Sequence, residues 1–247
     1  MCMFSGEVKV VADTKIFARS STHGHQFLVY SMALDSPTEV AMILPLPTPP
    51  NPGETAVRFL NLEKYADYFD DMEKGFPQLW WGTFSLGDAP WCALGALEVH
   101  QVGNYEASFV PSENDFHRLD ARFRLPAGAW AQLPLYHDYG FAVFKLKAGA
   151  QTVHPMAFDF PRRNPSRLFF PTVHIHDGKV HKTATFDHTL YCQKPEADRG
   201  TMKTWHATLK TASDFMNMEK ADGIVAPDER CFKMRIEGRQ ANTDIYA

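Results

Sequence analysis

Short runs of β-branched and aromatic residues recur along this chain, and they do not alternate with helical patterns. Regular strand–helix alternation would demand a doubly wound parallel sheet. Its absence points to an α+β fold: a mainly antiparallel, sandwich-like β-sheet with two or three short helices. The early runs lie at 7–12, 15–19 and 26–34, divided by the turn-prone Asp13-Thr14 and by Ser20-Ser21-Thr22-His23-Gly24. The stretch 40–44 is continuously apolar, as in a strand buried on both faces. Further runs at 141–147, 152–160, 168–176, 179–191 and 231–237 complete the set.

The helical signals are few. Asn61 can cap a helix whose Leu62, Tyr65, Phe69 and Met72 share one face, with Gly75 at its end. Such a stripe reads as core packing. A second helix is expected from Ser112, with Asp115 at N3, and a third near 212–221. Between 45 and 53 the prolines force an extended course, read as a stiff surface connection able to offer a protein partner a docking ligand. The stretch 75–91, with Trp80-Trp81, reads as irregular.

Composition excludes several classes. The 247 residues suit one globular domain over 1–247, and 25 Lys+Arg against 29 Asp+Glu give a net charge of −4, the wrong sign for a nucleic-acid binder. An apolar share of 45% is incompatible with intrinsic disorder. No window reaches the ~18 apolar residues of a membrane span. Cys2, Cys92, Cys192 and Cys231 are scattered and form no C-x-x-C, which favours reduced thiols and a cytoplasmic location.

The most informative segment joins two β-prone runs through Asp177-Gly178, a favoured pair for a two-residue type I′ turn. With that turn, His174 faces His181 across the strands, their Cβ atoms ~4.5–5.5 Å apart. His176 lies on the same face, ~7 Å along the strand. Three neutral imidazoles can then converge on one transition-metal ion, zinc or copper foremost. An exposed polar sheet face carries the same residues without a metal. Asp187 and Asp177 are candidates to orient the ligands, and His188, of opposite parity, is expected in the core.

Two further arrangements carry chemistry. Removal of Met1 would leave Cys2 at the N-terminus, where its own α-amino group can serve as base. Together with Phe17-Ala18-Arg19, this start resembles the opening of the N-terminal-nucleophile amidohydrolases. The resemblance implies Cys2 as nucleophile and Arg19 as its orienter, although Ser20-Ser21-Thr22 follows Arg19 in place of Asn-x-Asp. Arg162, Arg163 and Arg167 form a basic group, either a solvated loop or a site for a carboxylate or phosphate. His23-Gly24-His25 and His137-Asp138 are lesser candidates. The chain contains no G-x-S-x-G, Walker A, G-x-G-x-x-G or H-E-x-x-H motif.

The leading expectation is thus a soluble metal-binding protein, or a metal-dependent enzyme with a small-molecule substrate, that uses His174, His176 and His181. The alternatives are a Cys2 amidohydrolase and a non-catalytic binding protein whose contact surfaces are the proline-rich stretch and Trp80-Trp81.

Overall fold

The computed structural model describes residues 3–77, 105–125, 128–175, 181–195 and 202–247. Its strands are β1 (Met3–Phe4), β2 (Val10–Ser20), β3 (His25–Ser36), β4 (Val40–Leu46), β5 (Arg58–Asn61), β6 (Ala107–Val110), β7 (Gly140–Leu146), β8 (Gly149–Pro161), β9 (Phe169–Phe170), β10 (Thr183–Gln193), β11 (His206–Ala207), β12 (Phe232–Ala241) and β13 (Ile245–Tyr246). They form a four-stranded sheet in the order β1-β4-β7-β6, a seven-stranded sheet in the order β11-β12-β10-β2-β3-β8-β5, and a ribbon of β13 with β9. The β10–β2 pair runs parallel, and the other strand pairs are antiparallel. The β-rich α+β character expected from the run pattern is therefore present.

Side-chain alternation divides the core into three clusters. The largest draws on both sheets: Met42, Leu44 and Phe144 from the four-stranded one, Ile16, Leu28, Tyr30 and Phe158 from the seven-stranded one. Phe17 and Val29 point the other way from the seven-stranded sheet and meet α1 (Tyr68–Lys74) through Tyr68, Phe69 and Met72. Ala41, Ile43 and Val143, on the far face of the four-stranded sheet, pack with Phe116, Phe123 and Tyr136. Every residue of β4 is buried, as the continuous apolar run required.

Several local features depart from expectation. Asp13 does not end a strand; β2 continues through it by a bulge, with Asp13 at φ 49° and a register shift between Ala12 and Lys15. Asn61 does not cap a helix. Its Oδ1 accepts the Glu63 amide at 2.8 Å, and α1 begins only at Tyr68. The other two expected helices are short 3-10 turns, Glu113–Arg118 and Ala212–Asp214. Pro45 and Leu46 belong to β4 and Thr48 is wholly buried, so the proline-rich stretch becomes a surface feature only from Pro49 onward. β1 pairs β4 only at Met42 and Ile43, so Pro45 lies beyond the end of that ladder, where a missing N–H is tolerated. No described helix is long and apolar enough to cross a membrane.

Candidate functional site

The histidine segment does not form the expected hairpin. β10 pairs with β12 from Thr183 to Cys192 on one side and with β2 from His188 to Gln193 on the other, and no ladder joins it to the 171–175 segment. That segment runs extended, touching β1 through a parallel bridge between Met3 and Ile175. Its backbone groups are satisfied by side chains from the C-terminal residues. Asp244 Oδ1 accepts the amides of Thr172 (2.8 Å) and Val173 (3.1 Å). Asn242 Oδ1 accepts the His174 amide at 2.6 Å, while its Nδ2 donates to the carbonyls of His174 and His181, both at 2.9 Å. The Tyr136 hydroxyl donates to Asp244 Oδ2 at 2.7 Å and fixes the carboxylate from the far side. Burial raises the Asp244 pKa, and burial likewise raises that of Tyr136.

Alternation along 173–175 survives without the hairpin. Val173 and Ile175 enter the third apolar cluster, and His174 points the opposite way. There it meets β10: its ring centroid lies 4.4 Å from Phe186 and 5.0 Å from His188. His188 is 2% exposed, as its parity implied. His174, exposed His181 and His188 line one cavity of about 540 Å³, shared with Val11, Thr14 and Asp187. Asp187 Oδ2 accepts the Asp13 amide at 3.1 Å, and Arg235 lies 3.9 Å from its other oxygen. Among the described residues, no group of three or more His, Cys, Asp or Glu is arranged to hold a metal ion. His176 and Asp177 lie outside the described residues.

Arg19 stands elsewhere. Its Nε donates to Ile224 O at 2.7 Å, its Nη2 to Gly223 O at 2.5 Å, and its guanidinium lies 5.0 Å over the Phe27 ring. Desolvation lowers its pKa. It thus pins the 223–224 turn to β2. Cys2, Cys92 and Trp80-Trp81 lie outside the described residues. Cys192 and Cys231 are buried, and burial pushes both thiols up, Cys231 to about 12, so neither offers a thiolate at neutral pH. His25 Nδ1 lies 3.0 Å from Asp159, and His137 Nδ1 lies 2.8 Å from Pro134 O. Asp138 pairs with Arg163 and not with its neighbour His137.

The residues that organise the site, Asn242, Asp244 and Tyr136, carried no signal in the sequence, where 242–244 reads only as a polar tail. A side chain that replaces a strand partner leaves no periodicity behind it.

No family model matches the chain. Its fold is similar to that of baculovirus P35, at TM-score 0.50 and 14% identity, over 99% of this chain and 98% of that one. A mutated baculovirus P35 after caspase cleavage is similar at TM-score 0.51 and 13% identity, over 95% of this chain and 99% of that one. At such identities the likeness is one of fold.

Proposed function

We propose that this chain is a protein-binding molecule whose partner is a cysteine protease of the caspase class. The observation that carries this reading is the end-to-end likeness of fold to P35, a protein solved after caspase cleavage. Among the described residues, the contact surface is the exposed stretch from Pro49 to Gly53. Incubation of the intact chain with an active caspase tests it. Intact mass is expected to show cleavage at one site, and gel filtration a stable complex. A chain left whole and unbound overturns the reading.

A second reading keeps the metal. It is favoured by the placement of His174, His181 and His188 around one cavity. Zinc or copper would take imidazole nitrogens there, although the described side chains are not gathered for it. Elemental analysis of untagged protein decides: about one metal per chain, lost in His174→Ala, supports it, and metal-free protein removes it. The Cys2 amidohydrolase has no comparable support, because every contact of Arg19 described above is with the 223–224 turn and Phe27.

A further inference from the structure

Of the three arginines that the sequence offers either as a solvated loop or as a site for a carboxylate or phosphate, Arg163 and Arg167 are exposed and Arg162 is buried. Arg162 is only 8% exposed. Its Nε donates to Gly24 O at 3.2 Å and its Nη1 to Arg167 O at 2.9 Å. Arg163 stacks 5.1 Å over the Tyr139 ring, and Arg167 stacks 5.0 Å over Tyr246. Arg163 pairs with Asp138 at 2.9 Å, whereas Arg162 and Arg167 have no carboxylate partner among the described residues. Three guanidiniums against one carboxylate leave two positive charges uncompensated, one of them on a buried side chain. A buried charge is normally paired.

These groups surround a pocket of about 210 Å³, walled by Tyr139, Tyr246, Pro47 and Phe169. A guanidinium carries five N–H donors. Arg162 uses two of its five, and Arg167 uses one, from Nη2 to Tyr246 O at 3.1 Å. Asn164, also in the wall, accepts from Ser166 through Oδ1, which leaves its amide nitrogen for the pocket. The Tyr139 and Tyr246 hydroxyls are 3.2 Å apart, so one donates to the other and the second keeps its proton to give.

We propose that this pocket binds a phosphate group, free or carried on a small molecule. Charge decides between phosphate and a carboxylate. A phosphoryl group carries about −1.5 to −2 at pH 7 and three acceptor oxygens, matching the two uncompensated guanidiniums, where a carboxylate matches one. The tyrosine walls suit an attached apolar group. Desolvation of Arg162, which lowers its pKa, would be offset by the bound anion.

Calorimetric titration with inorganic phosphate and with phenyl phosphate, against acetate and chloride at equal ionic strength, tests the proposal in the full chain. Phosphate heats absent with chloride and acetate are expected. The Arg167→Gln variant is expected to weaken phosphate by about tenfold, the loss of one charge-assisted contact. Asn164→Asp keeps the acceptor for Ser166 and adds a negative charge to the wall, so it should also weaken binding, and it serves if Arg167→Gln fails to fold. Tighter phenyl phosphate assigns the site to a carried phosphate, and tighter inorganic phosphate to the free ion. Heats no greater than those of acetate or chloride, or heats unchanged in both variants, overturn the proposal.

Discussion

Asn242 holds His174 from both ends of one residue: its Oδ1 accepts the His174 amide at 2.6 Å and its Nδ2 donates to the His174 carbonyl at 2.9 Å. The same amide nitrogen reaches the His181 carbonyl. One side chain therefore stands where a neighbouring strand would, and it sets the height of both imidazoles at the cavity.

Removing that side chain leaves backbone groups without partners. Asn242→Ala is expected to lower stability by about 2–3 kcal/mol, measured by urea unfolding. Asn242→Asp keeps the acceptor but sets a buried carboxylate oxygen against the His174 and His181 carbonyls, so it should be no more stable than the alanine variant. Equal stability of all three would show that water replaces the clamp.

Arg19 is expected to matter for stability through the 223–224 turn. Arg19→Met gives up two charge-assisted hydrogen bonds, worth about 2 kcal/mol together on a partly exposed side chain. Arg19→Lys should recover little, because a single ammonium does not reproduce the planar fork that spans two successive carbonyls. Thermal unfolding checks this. Full recovery by lysine would mean that charge alone, and not the fork, holds the turn.

The strands were legible where the core imposes its period locally. The apolar run at 40–44 lies within β4, and the alternation around His188 places that residue inside, where it is 2% exposed. Pairing was not legible. Asp177-Gly178 favours a hairpin by its own turn chemistry, but the start of β10 pairs instead with β12, 58 residues away in sequence at Thr183 and Ala241. Local propensity cannot register a competing edge of that separation. Asp13 misled for a related reason: a polar residue able to adopt φ 49° marks a bulge as readily as a turn. The polarity of 242–244 concealed side chains that do the work of a strand, and the arginine group gave no sign that Arg162 would be buried.

Gly140 is required by close approach. An added Cβ would lie 2.6 Å from the Phe109 ring and 3.1 Å from the Thr48 hydroxyl. Both neighbours belong to packed elements, β6 and the buried end of the proline-rich stretch. Gly140→Ala should cost about 1–3 kcal/mol as overpacking, read from the urea midpoint at unchanged slope. Pairing it with Phe109→Leu, which clears the ring, should recover part of the loss, and no recovery would place the strain elsewhere.

The last expectation concerns acid. Asp244 has its pKa raised in the folded chain, chiefly by burial, from an ordinary 3.8. Below that value the carboxyl is protonated in both folded and unfolded chains, and its favourable contribution is fully present. As pH rises past 3.8 the unfolded chain ionises first, so this contribution is lost progressively until the folded group also ionises at its raised pKa. Asp244→Asn removes the titration while keeping an acceptor for the Thr172 and Val173 amides and a donor for the Tyr136 oxygen. The variant should therefore gain stability relative to wild type as pH is raised from below 3.8 towards neutrality. Urea unfolding of the two proteins across that range measures the difference directly. Curves that stay parallel would mean that the two amides and the Tyr136 hydroxyl stabilise the carboxylate enough to cancel its burial.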